Sequence, residues 1–345
     1  MRTGRLLLAG IAILLLASPS LTAGRKRLKI QSGYPFSVPI LGETIQHFAE
    51  LMRATSADSL RIRLYDAGKL VPTLQIFDAV STGKIDAGFT FPAYWMGKIP
   101  AATVFGSVPF GPDAPELLAW LQEGGGLAIW RRLYAKFGAV PVPCGVLPPE
   151  ASGWFRKPIE KPEDLRGLKI RYAGLGGKVL QKLGASITML PAGDIFLALE
   201  RGVIDATEYS SPAVDRPLGF YKVAKHYYFP GWHQPSSLLE LVVNQETWQG
   251  LQPQQRARIE TACQASIVFG LSRALAIQDE ALAFFRKQGV QIHSWSPEMM
   301  ARFREATDQV MREASAEDAD FAEAWGSLQR FRAQHSDWSS IAYIH

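Results

Sequence analysis

Two twelve-residue stretches, "IFDAVSTGKIDA" at 76–87 and "IFLALERGVIDA" at 195–206, agree at seven positions although they stand 119 residues apart. In both, Ile, Phe, Ala and Val or Leu recur at a spacing that gives a helix one apolar stripe. Gly83 or Gly202 then sits where a left-handed cap would end the helix. Each phrase therefore predicts a helix running into a short buried strand. Upstream, "IRLYDAGKL" (62–70) has a counterpart in "ITMLPAGDI" (187–195), and "LKIQ" (28–31) in "LKIR" (168–171). The order strand, helix, strand, helix, strand thus occurs twice. Any helix packed on a sheet needs some of this grammar, but three matched segments in one order point to duplicated lobes.

Alternating strands and helices imply mainly parallel sheets, and such sheets bind ligands outside the carboxyl ends of their strands. The 345 residues exceed one ordinary compact core and suit two lobes. The expected fold is α/β, with two lobes, a hinge and an interlobe cleft. Its site should lie just past the repeated strands, where the copies stop agreeing. That rule selects Arg171 against Gln31, and "GFTFPAYW" (88–95) against "TEYSSP" (207–212). The candidates are Arg171, Tyr94, Trp95, Glu208 and Tyr209.

The first residues, "MRTGRLLLAGIAILLLASPSLTA", combine Arg2 and Arg5 with an apolar run from Leu6 to Ala17 and a small-residue end at Ala23. This pattern predicts a secretory leader cleaved near residue 23, since a membrane-spanning helix needs roughly 20 apolar residues. The expected product is periplasmic. The formal net charge of +5 is spread along the chain and carries no nucleic-acid footprint. Cys144 and Cys263 leave two readings open, one bridge or two buried thiols.

Arg171 ends an apolar strand, where its planar fork could hold a carboxylate. Glu208 in the same cleft would repel that anion unless a cation lay between them and accepted oxygens from both. Aromatic residues crowd these regions, at Tyr94 and Trp95, at Trp154 and Phe155, and in "HYYFPGWH" (226–233), which suits the walls of a small-acid pocket. Catalytic motifs are missing: there is no G-x-S-x-G and no H-E-x-x-H, and "GLGGK" (174–178) has neither phosphate-loop nor dinucleotide spacing. His226 and His233, seven apart with no cysteine or carboxylate at zinc spacing, read as structural.

The run "EDLRGLKIRYAGLGGKVLQKLGASITMLPAGDIFLALERGVIDATEYSSP", with "YDAGKLVPTLQIFDAVSTGKIDAG" and "GWFRKPIEKPEDLRGLKIR", resembles the solute-binding proteins of tripartite ATP-independent periplasmic (TRAP) transporters, of the DctP type. It is most similar to the branch that binds α-keto acids and related monocarboxylates. The resemblance implies that Arg171 clamps the substrate carboxylate and that Tyr94, Trp95, Trp154, Glu150 and Tyr209 border the substrate. It also implies a bridging cation, sodium or calcium, held by Glu150, Glu208, Tyr209 and Gln234. Three positions depart from the branch pattern: Glu150 stands for Gln, Tyr209 for Trp, and Gln234 for Glu. The first and third together exchange an amide and a carboxylate, so the carboxylate total is unchanged.

On this reading residues 24–149 form lobe I with a contribution from about 236–270, and 150–235 form the core of lobe II. Residues 271–345 form a C-terminal helical region packed on the lobes. The partners implied are a small organic acid and the membrane subunits of a TRAP permease, and dimerisation through a terminal helix stays open. The expectation is a receptor rather than an enzyme. Two alternatives are a secreted lyase or hydrolase using Glu150 or Glu208 as acid or base, and a ligand sensor docking on a membrane signalling protein.

Overall fold

The computed structural model describes residues 26–56 and 59–342; the leader expected at 1–23 lies outside the described residues. The strands, in chain order, are β1 (Lys26–Ser32), β2 (Leu60–Tyr65), β3 (Ala87–Thr90), β4 (Ala139–Leu147), β5 (Gly153–Phe155), β6 (Lys169–Arg171), β7 (Ser186–Thr188), β8 (Ala206–Thr207), β9 (His226–Phe229), β10 (Ser237–Asn244) and β11 (Gln291–Ser294). They make two sheets, ordered β2-β1-β3-β10-β4 and β11-β9-β5-β8-β6-β7. The duplication is plain in the topology. β1 pairs in parallel with both β2 and β3, and β6 pairs in parallel with both β7 and β8. Helices Leu41–Thr55 and Gly174–Lys182 follow the first strand of each triplet, and Ile76–Ser81 and Ala192–Glu200 follow the second.

The repeated phrase has a mechanical explanation. Gly83 and Gly202 both adopt φ 70°, and the next amide, Lys84 or Val203, donates back to the carbonyl of Ala79 or Ala198. This cap needs a left-handed residue, which glycine supplies without a Cβ clash. Ile85 and Ile204 are then buried, and the following aspartate reaches across the sheet. Asp86 Oδ2 accepts the Lys29 N–H at 2.7 Å, and Asp205 Oδ2 accepts the Lys169 N–H at 3.1 Å. Each aspartate locks the last strand of its triplet to the first. The helix stripe is buried at Ile76, Phe77 and Val80, each contributing about 1.5–3 kcal/mol.

Each sheet also holds one strand that enters from the other lobe, β10 in the first and β5 in the second. Both run antiparallel to their neighbours, because no crossover helix turns them round. The two crossings, residues 148–152 and 230–236, lie side by side. The Glu150 N–H donates to the Gln234 carbonyl at 3.2 Å, the Ser152 N–H to Tyr228 at 2.8 Å, and Ser152 Oγ to the Pro230 carbonyl at 2.7 Å. Gly231 permits this approach, since a Cβ there would stand 2.2 Å from the Glu150 carbonyl oxygen.

Helix Pro253–Ala276 packs on β4, and a disulfide joins Cys144 on β4 to Cys263 on that helix. The alternative of two unpaired thiols is therefore excluded. Later, helix Pro297–Glu317 lies on Gly174–Lys182 in lobe II, and helix Ala319–Ala342 lies on Gly126–Ala135 in lobe I. The stretch after residue 270 also supplies β11, an edge strand paired with β9.

Candidate functional site

A small pocket lies where the carboxyl ends of β1, β3, β6 and β8 converge on the two crossings. Tyr34 follows β1; Phe91 and Tyr94 follow β3. Arg171 ends β6, and Glu208, Tyr209 and Ser210 follow β8. Glu150 and Gln234 enter from the crossings, and Ser237 and Leu239 from β10. Both lobes thus contribute walls.

Arg171 is 1% exposed and held on two sides. Nε donates to the Leu190 carbonyl at 3.2 Å, and Nη1 donates to the Glu208 carbonyl at 2.5 Å and to Glu208 Oε2 at 2.9 Å. Its guanidinium carbon stands 5.3 Å from the centre of the Tyr209 ring. Nη2 makes no hydrogen bond to the described residues, so it remains available to a carboxylate in the pocket. Glu208 Oε2 also accepts the Ala173 N–H at 3.2 Å.

Burial alone would raise the Glu208 carboxyl, yet the Arg171 charge, the His233 ring and the Ala173 amide hold it below the ordinary glutamate range. Glu150 goes the other way. Burial and then the Glu208 charge drive it well above that range, against the pull of the Ser237 and Ser210 hydroxyls. Those hydroxyls reach Glu150 Oε1 at 2.9 and 3.4 Å, while Oε2 is buried without a partner. Burial also raises Tyr34, Tyr94 and Tyr209, so their hydroxyls stay neutral donors.

Of the residues expected from sequence, Arg171, Tyr94, Glu150, Glu208, Tyr209 and Gln234 meet at this pocket; Trp95 and Trp154 do not line it. Trp95 shares a 3₁₀ turn with Tyr94, and neighbouring residues of so tight a turn point about 120° apart. Tyr94 therefore faces the pocket, while Trp95 Nε1 turns into lobe I and donates to Glu240 Oε1 at 2.8 Å. Trp154 donates to Asp215 Oδ2 at 2.8 Å and stacks on Tyr227 at 3.7 Å between centroids. It supports the wall from behind. Asp215 Oδ1 accepts the Ser210 N–H at 3.1 Å, which ties this buried cluster to the pocket loop.

Tyr34, Ser210 and Ser237 also line the pocket, although they are not among the candidates read from sequence. Tyr34 stands two residues past a repeated strand, whereas Gln31, the position that matches Arg171, stays inside lobe I. That side chain is internal, bonded to the backbone of Leu70 and Val71. His226 pairs with His293 at 3.0 Å across β9 and β11, away from the pocket.

The profile of bacterial extracellular solute-binding proteins, family 7, matches residues 36–318. The chain belongs to this family. A monocarboxylate 2-oxoacid-binding periplasmic protein of Nostoc sp. is 37% identical over 281 residues, covering 81% of this chain and 77% of that one. A TRAP periplasmic solute-binding protein of Colwellia psychrerythraea, solved with calcium and pyruvate, aligns with a TM-score of 0.88 at 34% identity, covering 92% of this chain and 97% of its own. Its counterpart from Pseudoalteromonas atlantica, solved with sodium and pyruvate, aligns at 0.88 and 32% identity with the same coverages.

As a family 7 receptor, this chain has a pocket whose donors suit a cation. An anion entering beside Arg171 meets a guanidinium already paired with Glu208, and the added negative charge needs a counter-charge in so dry a space. Glu150 Oε2 is a buried oxygen without a partner, and Ser237 Oγ links Glu150 Oε1 at 2.9 Å to Gln234 Oε1 at 3.3 Å. Oxygen donors of these kinds serve hard cations.

Proposed function

We propose that this protein is the receptor of a TRAP transporter for a small 2-oxo or 2-hydroxy monocarboxylate such as pyruvate or lactate. It holds the acid between its lobes with a bridging cation and presents the closed form to the membrane subunits of a permease. The observation that carries this reading is Arg171, 1% exposed, fixed through Nε and Nη1 and lining a pocket built by both lobes, with Nη2 unbonded among the described residues. Arg171 takes the substrate carboxylate, and Glu150, Glu208, Tyr209 and Gln234 hold the cation. The pyruvate complexes of the two solved relatives, one with calcium and one with sodium, support this assignment.

Ligand contacts from both lobes stabilise the closed state over the open one. The crossings at 148–152 and 230–236 then serve as hinge strands. Residues 24–149 with about 236–270 move as lobe I against 150–235. The chain is exported by a leader removed near residue 23, and it binds its ligand without transforming it.

The test is calorimetric titration of pyruvate into chelator-stripped protein, alone and with sodium or calcium restored. The reading expects tight binding only with a cation present, and pyruvate recovered unchanged. Equal affinity in all three conditions would remove the cation from the mechanism, and product formation on prolonged incubation would replace the receptor with an enzyme.

A further inference from the structure

Three buried groups far apart in sequence, Glu150, Glu208 and His233, each bring one ligand atom to within 4.8 Å of the others. His233 separates this trio from an all-oxygen site. Its ring is fully enclosed, set edge-on to Tyr172 at 4.7 Å and to Trp232 at 5.8 Å between centroids. Gly176 makes the room, since a Cβ there would stand 2.7 Å from the His233 Cβ. Neither ring nitrogen has a hydrogen-bond partner. Nε2 lies 3.8 Å from Glu208 Oε1, near enough to help hold that carboxyl low but longer than a hydrogen bond.

Buried imidazoles are almost always partnered, because an idle donor or acceptor forfeits its hydration for nothing. Here the idle nitrogens adjoin two idle or half-used carboxylates. Arg171 and the Ala173 amide occupy Glu208 Oε2, which leaves Oε1 on the His233 side, and Glu150 Oε2 is unpartnered. A cation among them would satisfy one ring nitrogen and one oxygen of each carboxylate at once.

We infer that His233 is a metal ligand, and that this pocket takes a first-row divalent ion, zinc foremost, in preference to sodium or calcium. The inference rests on the reading of the pocket as a cation-assisted carboxylate site and names the ion. Sodium and calcium are coordinated by oxygen, whereas imidazole suits zinc and its first-row neighbours. Two carboxylates and one imidazole leave coordination positions open, as sites that also bind substrate do. A 2-oxo acid offers two oxygens for them, one from its carboxylate and one from its carbonyl. Since Glu150 and His233 stand on the two crossings and Glu208 on a lobe II loop, the ion would also tie both crossings to lobe II.

The experiment titrates zinc, manganese, calcium and sodium separately into the chelator-stripped protein and into His233→Gln, then adds pyruvate to each. The expected result is zinc binding tighter than calcium or sodium, with His233→Gln weakening zinc by at least the roughly 10–100-fold that loss of a supporting partner costs, and leaving calcium unchanged. Copper-loaded protein that keeps His233 but carries His226→Ala and His293→Ala, which remove the close imidazole pair of β9 and β11, should show nitrogen hyperfine splitting in its electron paramagnetic resonance spectrum. That measurement decides the matter even if His233→Gln fails to fold. Calcium or sodium binding as tightly as zinc, zinc affinity unmoved by His233→Gln, or a copper spectrum without nitrogen coupling would each overturn the inference. If pyruvate then still requires calcium or sodium, the receptor reading stands without it; if pyruvate needs no ion at all, the cation-assisted reading falls too.

Discussion

The two lobes carry the same triplet of strands and the same aspartate lock, yet Glu240 of lobe I and Glu208 of lobe II are buried in opposite ways. In lobe I, Glu240 on β10 lies sealed among aromatic groups, accepting from Trp95 Nε1 at 2.8 Å and Tyr134 OH at 3.3 Å, and burial pushes its carboxyl up to about 8. In lobe II, Glu208 is equally buried, but Arg171 and the Ala173 amide hold it below the usual range. Burial is common to both; the partner decides which is charged. A duplicated scaffold can therefore divide its labour, with lobe I supplying shape and neutral donors and lobe II supplying fixed charge.

The largest effect expected from breaking this division comes from Arg171→Ala. It should weaken pyruvate binding by roughly 2–5 kcal/mol, the scale for truncating one member of a buried charge pair. It should also lower the urea midpoint, because Glu208 would be left charged in a dry site. Calorimetry with pyruvate checks the first, and near-normal affinity would end the carboxylate assignment.

The matching change in lobe I is Glu240→Gln, which should leave pyruvate affinity alone and act on stability. The folded carboxyl titrates at about 8 and the unfolded one near 4.5, so the native state binds the extra proton. The sign follows: stability is intact below about pH 4.5 and falls as pH rises toward 8, by at most about 5 kcal/mol. The neutral amide should flatten this part of the curve. Asp215, raised to about 7, contributes in the same window, so the quantity to measure is the difference between wild type and variant in urea midpoints at pH 5 and pH 8. A difference that does not grow between those pH values would contradict the account.

A smaller asymmetry is covalent. The Cys144–Cys263 bridge staples a helix to the lobe I sheet across 119 residues, and lobe II has no counterpart. Replacing both cysteines by serine should cost about 2–4 kcal/mol of stability. Equilibrium unfolding should register the loss, with pyruvate affinity unchanged in the folded fraction.

What sequence made legible follows the same division. Helix caps, buried Ile residues and the order of strands are local, repeated events, and two copies made them visible. Arg171, Glu208, Tyr209 and Tyr94 reach the pocket because it lies at the strand ends, where parallel sheets present ligands. Glu150 and Gln234 lie on the crossings, which have no repeat and no periodicity, and only the family resemblance pointed to them. The cluster of residues 150, 208 and 233 escapes any spacing rule, because the fold and not the local sequence brings the three together. Trp95 and Trp154 were misplaced because an aromatic beside a site looks the same in sequence whether it faces the ligand or the core.

The finest test of the division compares two tyrosines across the pocket, Tyr94 from lobe I and Tyr209 from lobe II. Tyr94→Phe removes a neutral donor and keeps the ring, so it should weaken pyruvate binding by about 1 kcal/mol, the worth of one ordinary hydrogen bond. Tyr209→Phe keeps the backbone carbonyl through which this residue would hold the cation and the ring face that Arg171 stands over at 5.3 Å, so it should change affinity less still. Fixed charge, on this account, sets the affinity, and the lobe I hydroxyls tune it. If calorimetry found Tyr94→Phe as damaging as Arg171→Ala, lobe I would be supplying a charge-strength contact, and the contrast between the two lobes would have to be redrawn around the tyrosine hydroxyls.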